Sequence, residues 1–232
     1  MTAIDTLDTG AALAWETRLF EEVARQPDKY FLKVWEGSQS LVVPKKLAAN
    51  PQFASAQELL EAAGWPVHVR ATGGDATPQG RGILNVTHIY TFESGGAFDI
   101  PAAYARLCDP IKQALGDGAT VGWQDGAFCD GAYNVQWFGR KFAGTALRFR
   151  PCRADKSSHT VLAHALMLMD APSAPAISAI NRLLAHLGEA RVIVDAAHTG
   201  LPERLSREVF LDRLVAGFEQ IRTEKGSFGA AI

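Results

Sequence analysis

The sequence is short of the features that mark several protein classes. Its 232 residues hold only three cysteines, Cys108, Cys129 and Cys152, far apart and without a CxxC pair. That spacing excludes a disulfide scaffold and a thiolate zinc site. The six histidines form no HxH or HExxH pattern, so the spacing offers no metal site. Charge of either sign is barely in excess, with 23 Lys and Arg against 25 Asp and Glu. No global field therefore draws the chain to nucleic acid or to an anionic membrane. No uncharged apolar run reaches the roughly 18 residues of a membrane span, and the N-terminus lacks a basic segment leading into an apolar one. These absences predict a cytoplasmic protein without a membrane anchor. Internal repeats and paired carboxylates at acid–base spacing are also missing.

What is present suits one globular domain: 47% hydrophobic and 21% charged residues can build and solvate a full core. Ala12, Trp15, Leu19, Phe20 and Val23 recur at helical spacing and predict a helix over Thr9 to Arg25, capped by Thr9. The apolar runs FLKVW and SLVVP, with Glu36 to Gln39 between them, predict two strands joined by a turn. Ser55 to Glu58 has capping-box spacing, and its helix should stop at Gly64 before a strand at Val67 to Val69. A long loop, Arg70 to Gly82, precedes a strand from Ile83 to Thr91. Asp99 to Leu115 reads as a helix capped by Asp99 and bent at Pro110. Asn134 to Phe138 and Lys141 to Arg150 flank Gly139-Arg140 as a hairpin, and Val161 to Met169 is apolar enough for a central strand. Helices through Ile177 to Leu187 and, after a cap at Ser206, Val209 to Ile221 close the chain. Strands and helices do not alternate strictly, so the class is α+β with a mixed, largely antiparallel sheet.

Two stretches carry candidate chemistry. The loop RATGGDATPQGRG could present backbone N–H groups at Gly73 and Gly74 to a carboxylate, an acyl phosphate or a ribose, or could be an ordinary surface connection; it is neither GxGxxG nor a P-loop. The stretch GAFCDGAYNVQWFGRKFAGTA places Cys129 in a glycine-flanked loop and Lys141 just past a glycine turn. A free cysteine is commonly a small buried hydrophobe, and a lysine beside a turn commonly faces water. Together they allow more: a nearby ammonium favours the thiolate, Asp130 acts in the opposite sense, and a cation can stabilise the oxyanion formed when sulfur attacks an acyl group. His164, flanked by apolar residues, reads as a core histidine or as a base.

The order of these stretches resembles that of the lipoate–protein ligase and octanoyltransferase family, whose catalytic fold is shared with biotin protein ligases and is class II synthetase-like. Arg70, Thr72, Gly73, Gly74, Gly82, Leu84 and Asn85 fit its R-x-S/T-G-G-G-x-x-x-H-x-x-G-x-L-N stretch. Tyr133, Asn134, Gly139, Arg140, Lys141, Gly144 and Ala146 fit its Y-D/N-L-x-x-x-G-R-K-x-x-G-x-A-Q stretch. Asp75 stands for the third glycine, Gln79 for histidine and Leu147 for glutamine. The resemblance runs from roughly Phe31 to Asp170 and implies a single catalytic domain over 1–232 with no separate C-terminal domain. It implies an acyltransferase moving an octanoyl or lipoyl group, through a thioester on the nucleophile Cys129 with Lys141 contacting the acyl carbonyl, to a lysine of a lipoyl-carrier protein. Arg70, Thr72, Gly73, Gly74, Asp75, Asn85, Gly144, Thr145 and His164 are then expected to bind substrate. Acyl transfer of this kind needs no cofactor and no metal. Two other readings stay open: an ATP- and Mg-dependent lipoate ligase, and a non-catalytic subunit that holds a lipoyl carrier or acyl ligand. Arg140, Arg148, Arg150 and Arg153 offer a local patch for an acidic carrier.

Overall fold

The computed structural model describes residues 4–93, 97–129, 131–152 and 157–224. In chain order its elements are β1 (Asp5–Leu7), α1 (Thr9–Arg25), β2 (Phe31–Gly37), β3 (Ser40–Pro44), α2 (Lys45–Ala48), α3 (Phe53–Glu61) and β4 (Val67–Arg70). There follow β5 (Thr77–Gln79), β6 (Ile83–Glu93), α4 (Ile100–Leu115), β7 (Ala119–Gly122), β8 (Asn134–Trp137), β9 (Arg140–Pro151), β10 (Ser158–Leu168), α5 (Ala174–His186) and α6 (Arg207–Glu224). Seven strands form one sheet in the order β1-β2-β6-β10-β9-β8-β7, antiparallel except for the β1–β2 pair. A second sheet, β4-β3-β5, carries the glycine loop between β4 and β5. The expected mixed, largely antiparallel sheet packed with helices is what the chain forms.

β6 and β10 are central, paired along eleven residues, and the whole of β10 is buried. Alternation then divides the core. Leu84, Val86 and Tyr90 pack on one face under Leu107 and Ile111 of α4 and Phe210, Leu214 and Phe218 of α6. Ile89 and Leu162 meet Leu19, Phe20 and Val23 of α1 on the other. The buried stripe of α1 contains one charged residue, Glu16, where the sequence pattern put Trp15.

Three local expectations are corrected. The cap of α1 is Asp8, whose side chain accepts from Ala11 N at 2.8 Å, because Thr9 is buried with its hydroxyl donating to Ser38 O. β2 and β3 do not pair with each other; the turn between them crosses from one sheet to the other. The capping box at Ser55 does not form, since α3 begins at Phe53 and the Ser55 hydroxyl donates back to Gln52 O. Asp99 and Ser206 cap α4 and α6 as expected.

The β8–β9 hairpin is the element that matters most for the site. Trp137 faces Arg140, and the two connecting residues, Phe138 and Gly139, both have positive φ, the geometry of a type I′ turn. The register shifts between Val135 and Gln136, leaving one extra residue on β9. Such a bulge re-aims side chains. Here Lys141, Phe142 and Ala143 are buried in succession, and Lys141 has no exposed surface at all.

Candidate active site

The loop after β7 doubles back through Gly126 and ends at Cys129, whose φ of +54° lies in the left-handed region that non-glycine residues rarely occupy. Its neighbours hold it there. Asn134 Nδ2 donates to Cys129 O at 2.8 Å and Lys141 Nζ donates to the same oxygen at 2.7 Å. Lys141 Nζ also donates to Phe128 O, and it stands 4.9 Å from the centre of the Phe128 ring. His198 completes the clamp: its ring stacks on Phe128 and its Nε2 accepts from Phe128 N at 3.2 Å. Burial first, and the Lys141 charge second, lower the His198 pKa to about 4. The ring is thus neutral at pH 7, with its proton on Nδ1 for the Val194 carbonyl and Nε2 left to accept. Strain of this kind at one residue is expected where a side chain must be aimed.

The thiol so placed lines a cleft of about 520 Å³, of a size typical for small-molecule sites. Gly73, Gly74 and Asp75 form one wall, and Tyr104 of α4 with Thr145 to Leu147 of β9 another. Tyr104 lies flat on Tyr133, ring centroids 3.8 Å apart, and burial raises its pKa to about 12. Asp75 binds Arg191 across the cleft mouth, tying the glycine loop to the segment after α5. Behind the sulfur a smaller pocket, about 10 Å³, has room for roughly one water. Arg70, Thr77, Gly144, Thr145 and His164 line it beside Cys129.

His164 is a networked core residue that also touches this pocket. Its Nδ1 contacts Glu16 Oε1 at 2.9 Å and its Nε2 contacts Asn85 Oδ1 at 3.1 Å. Asn85 and Gln79 exchange two side-chain hydrogen bonds, so the residue standing in place of histidine is absorbed into the network.

The structure therefore gathers Cys129, Arg70, Gly73, Gly74, Asp75, Gly144, Thr145 and His164 around two adjoining cavities. Asn85 reaches them through His164. Thr72 is buried beside the loop and does not line the cleft. Lys141 meets the Cys129 peptide at its carbonyl. Asp130 and Arg153 lie outside the described residues. The expected arginine patch assembles only in part: Arg148 and Arg150 both lie over the Phe20 ring, 4.8 and 4.9 Å from its centre, and Arg140 stands apart. Arg140 donates to Ala196 O at the hairpin end, and Arg150, stacked on Phe20, makes a two-pronged ion pair with Glu21. The two arginines are ten residues apart along β9, about 33 Å in an extended strand. Among the described residues no cluster could hold a metal ion, and no helix is long and apolar enough to cross a membrane.

Sequence reasoning missed Tyr104, Arg191, Glu16 and His198. Glu16 alone left a signal, a carboxylate at a buried position of an apolar helical stripe.

Known proteins resemble the chain in sequence and in fold. The lipoyl protein ligase A/B catalytic domain family matches residues 8–219. An uncharacterised protein of Cupriavidus necator is 39% identical over 151 residues, 60% of each chain. An octanoyl-[GcvH]:protein N-octanoyltransferase of Kyrpidia tusciae is 31% identical over 139 residues, 57% of this chain and 47% of the relative. The chain thus matches about half to three-fifths of the length of these curated relatives. Two solved structures share the fold at 18% identity: a bi-partite lipoate protein ligase from Thermoplasma acidophilum, studied with its E2 lipoyl domain, has a TM-score of 0.66 over 100% of this chain and 88% of that one. A lipoate-protein ligase A bound with ATP has a TM-score of 0.66 over 96% and 86%.

Proposed function

The chain belongs to the lipoyl protein ligase A/B catalytic domain family, and from that membership and the cleft we propose that it transfers an octanoyl or lipoyl group through a thioester on Cys129 to a lysine of a lipoyl-carrier protein. The placement of one sulfur carries this reading. Of the three cysteines only Cys129 lines the cleft, held in a left-handed turn by Asn134, Lys141 and His198.

In the first half-reaction the sulfur attacks the acyl carbonyl carbon. The S–C bond forms, the bond from that carbon to the donor's heteroatom breaks, and the donor leaves with the proton given up by the thiol. In the second, the acceptor amine attacks the thioester carbonyl; the C–N bond forms, the C–S bond breaks, the sulfur leaves as a thiolate and the amine's proton passes to solvent. Lys141 fixes the direction of the sulfur through the Cys129 peptide and lends its buried charge to the field in which the oxyanion develops. Gly144 leaves room for it, since a Cβ there would lie 3.1 Å from Lys141 Nζ. The Thr145 hydroxyl is engaged with Tyr133 O, so any help from Thr145 to the oxyanion comes from its backbone. The glycine loop walls the acyl chain. Relatives named octanoyl-[GcvH]:protein N-octanoyltransferases, and a structural relative studied with its E2 lipoyl domain, support lipoyl-carrier proteins as donor and acceptor.

In this reading the cleft takes no nucleotide. Its charged lining is Lys46 and Arg191 against Asp75 and Glu189, and Arg191 is already paired with Asp75, so no net positive charge meets a triphosphate. No step of the transfer uses ATP. The test is intact-protein mass after mixing with an octanoylated carrier domain, before and after hydroxylamine. A labile octanoyl adduct, absent from Cys129→Ala, supports the reading; ATP-dependent lipoylation by Cys129→Ala overturns it in favour of a ligase.

A further inference from the structure

Arg70 ends β4 with its side chain almost wholly buried, and among the described residues no carboxylate forms an ion pair with it. Its Nη2 donates to Asp75 O at 2.9 Å and its Nε finds no partner. A buried guanidinium is costly to leave uncompensated, so the charges near it matter: the Cys129 sulfur first, and the buried Glu16 carboxylate after it. A Cβ built on Gly74 would lie 2.7 Å from Arg70 Nη2 and 2.8 Å from Cys129 Sγ, so both atoms crowd one point above that glycine. Both side chains also line the small pocket behind the thiol, where there is too little room for bulk water to screen them. Burial lowers the Arg70 pKa from its usual value, and the nearby Cys129 sulfur opposes that shift. Lys141, the cation that the sequence spacing sets against the thiol, instead has Nζ on the carbonyl oxygens of Phe128 and Cys129.

We infer that Arg70 is a catalytic residue, the counter-ion that holds the Cys129 sulfur as a thiolate ready to attack the acyl carbonyl. The inference rests on the reading of Cys129 as nucleophile. Ionisation sends the thiol proton to solvent and leaves a guanidinium–thiolate pair. Acylation consumes the thiolate, and the leaving donor takes a proton from solvent; deacylation restores the pair as the acceptor amine releases its proton. Gly74 then has a packing role: only a residue without a side chain lets the two groups meet. Arginine suits the position because its planar fork serves the Asp75 carbonyl and the sulfur together.

The experiment is alkylation by iodoacetamide from pH 6 to 9, with Cys129→Ala giving the background from the other two thiols. In Arg70→Gln the rate at pH 7 is expected to fall tenfold or more, the deficit closing as pH rises, while Arg70→Lys recovers part of it. A folded Arg70→Gln protein whose rate–pH profile superimposes on that of the wild type overturns the inference, as does a loss seen in Lys141→Met and not in Arg70→Gln. Should Arg70→Gln not fold, the ultraviolet thiolate band of wild type minus Cys129→Ala at pH 7 decides: its presence supports the pair and its absence overturns it. Alkylation needs no acyl donor, so the outcomes separate. Arg70-dependent reactivity without an octanoyl adduct sinks only the proposed transfer, and adduct formation at an unchanged rate in Arg70→Gln sinks only the role of Arg70.

Discussion

Two adjacent glycines in the same loop should respond oppositely to one methyl group. Gly74 has φ +97°, and a Cβ there would meet Arg70 Nη2 at 2.7 Å and Cys129 Sγ at 2.8 Å. Gly73 has an ordinary φ and nothing within 4 Å of its Cβ position. For Gly74→Ala the backbone strain alone is about 1–3 kcal/mol, and neither neighbour can yield freely. Arg70 is held by the Asp75 carbonyl, and Cys129 by the clamp on its peptide. A loss of roughly 2 kcal/mol lowers the melting temperature by about 4–8 °C in a chain of this size. Gly73→Ala should stay within about 0.5 kcal/mol of wild type. Thermal unfolding of the two variants, with the alkylation rate of Cys129 measured beside it, is the assay. Gly74→Ala is expected to lose both stability and thiol reactivity, and Gly73→Ala neither. Equal melting temperatures for the two would refute the close approach of Arg70 and Cys129 over Gly74.

The clamp predicts further behaviour. Because the folded His198 pKa is lowered to about 4 from a usual 6.5, the unfolded chain takes up a proton that the folded one refuses. Stability is therefore full above pH 6.5 and is lost as pH falls toward 4, by up to about 3 kcal/mol. Urea unfolding at pH 7.5 and 4.5 should show this acid loss in wild type and less of it in His198→Gln; equal slopes in both would contradict it. Lys141→Met strips the Phe128 carbonyl of its buried donor, at roughly 1–3 kcal/mol for a group left unsatisfied, and leaves Cys129 O with Asn134 alone. It should lower the melting temperature and abolish adduct formation together. A fully stable but inactive Lys141→Met would place the amine at the acyl group and not under the thiol.

Much of this architecture was legible because periodicity reports burial. The alternation and apolar runs of β6 and β10 and the 3.6-residue stripes of α1, α4 and α6 follow from which faces must leave water. The site was legible as an order along the chain, with Cys129, Asn134 and Lys141 at the spacing of a loop and a hairpin. What the spacing could not supply was direction. The bulge that buries Lys141 depends on pairing with β8, and the turn that aims Cys129 depends on His198, some seventy residues further on. Arg70 reads in the sequence as one basic residue before a glycine loop, and only the close approach over Gly74 shows its target. The same limit misplaced the α1 cap, where Asp8 and Thr9 are both competent and a tertiary contact to Ser38 decides between them.

Passage of the acyl group through the Cys129 sulfur can be followed by peptide mapping of a rapidly acid-quenched reaction. With octanoylated carrier as donor, the fragment containing Cys129 should carry one octanoyl group that disappears when acceptor domain is added, as product appears at the same rate. Product formed at full rate with that fragment never modified, or with the octanoyl group on another residue, would contradict the account.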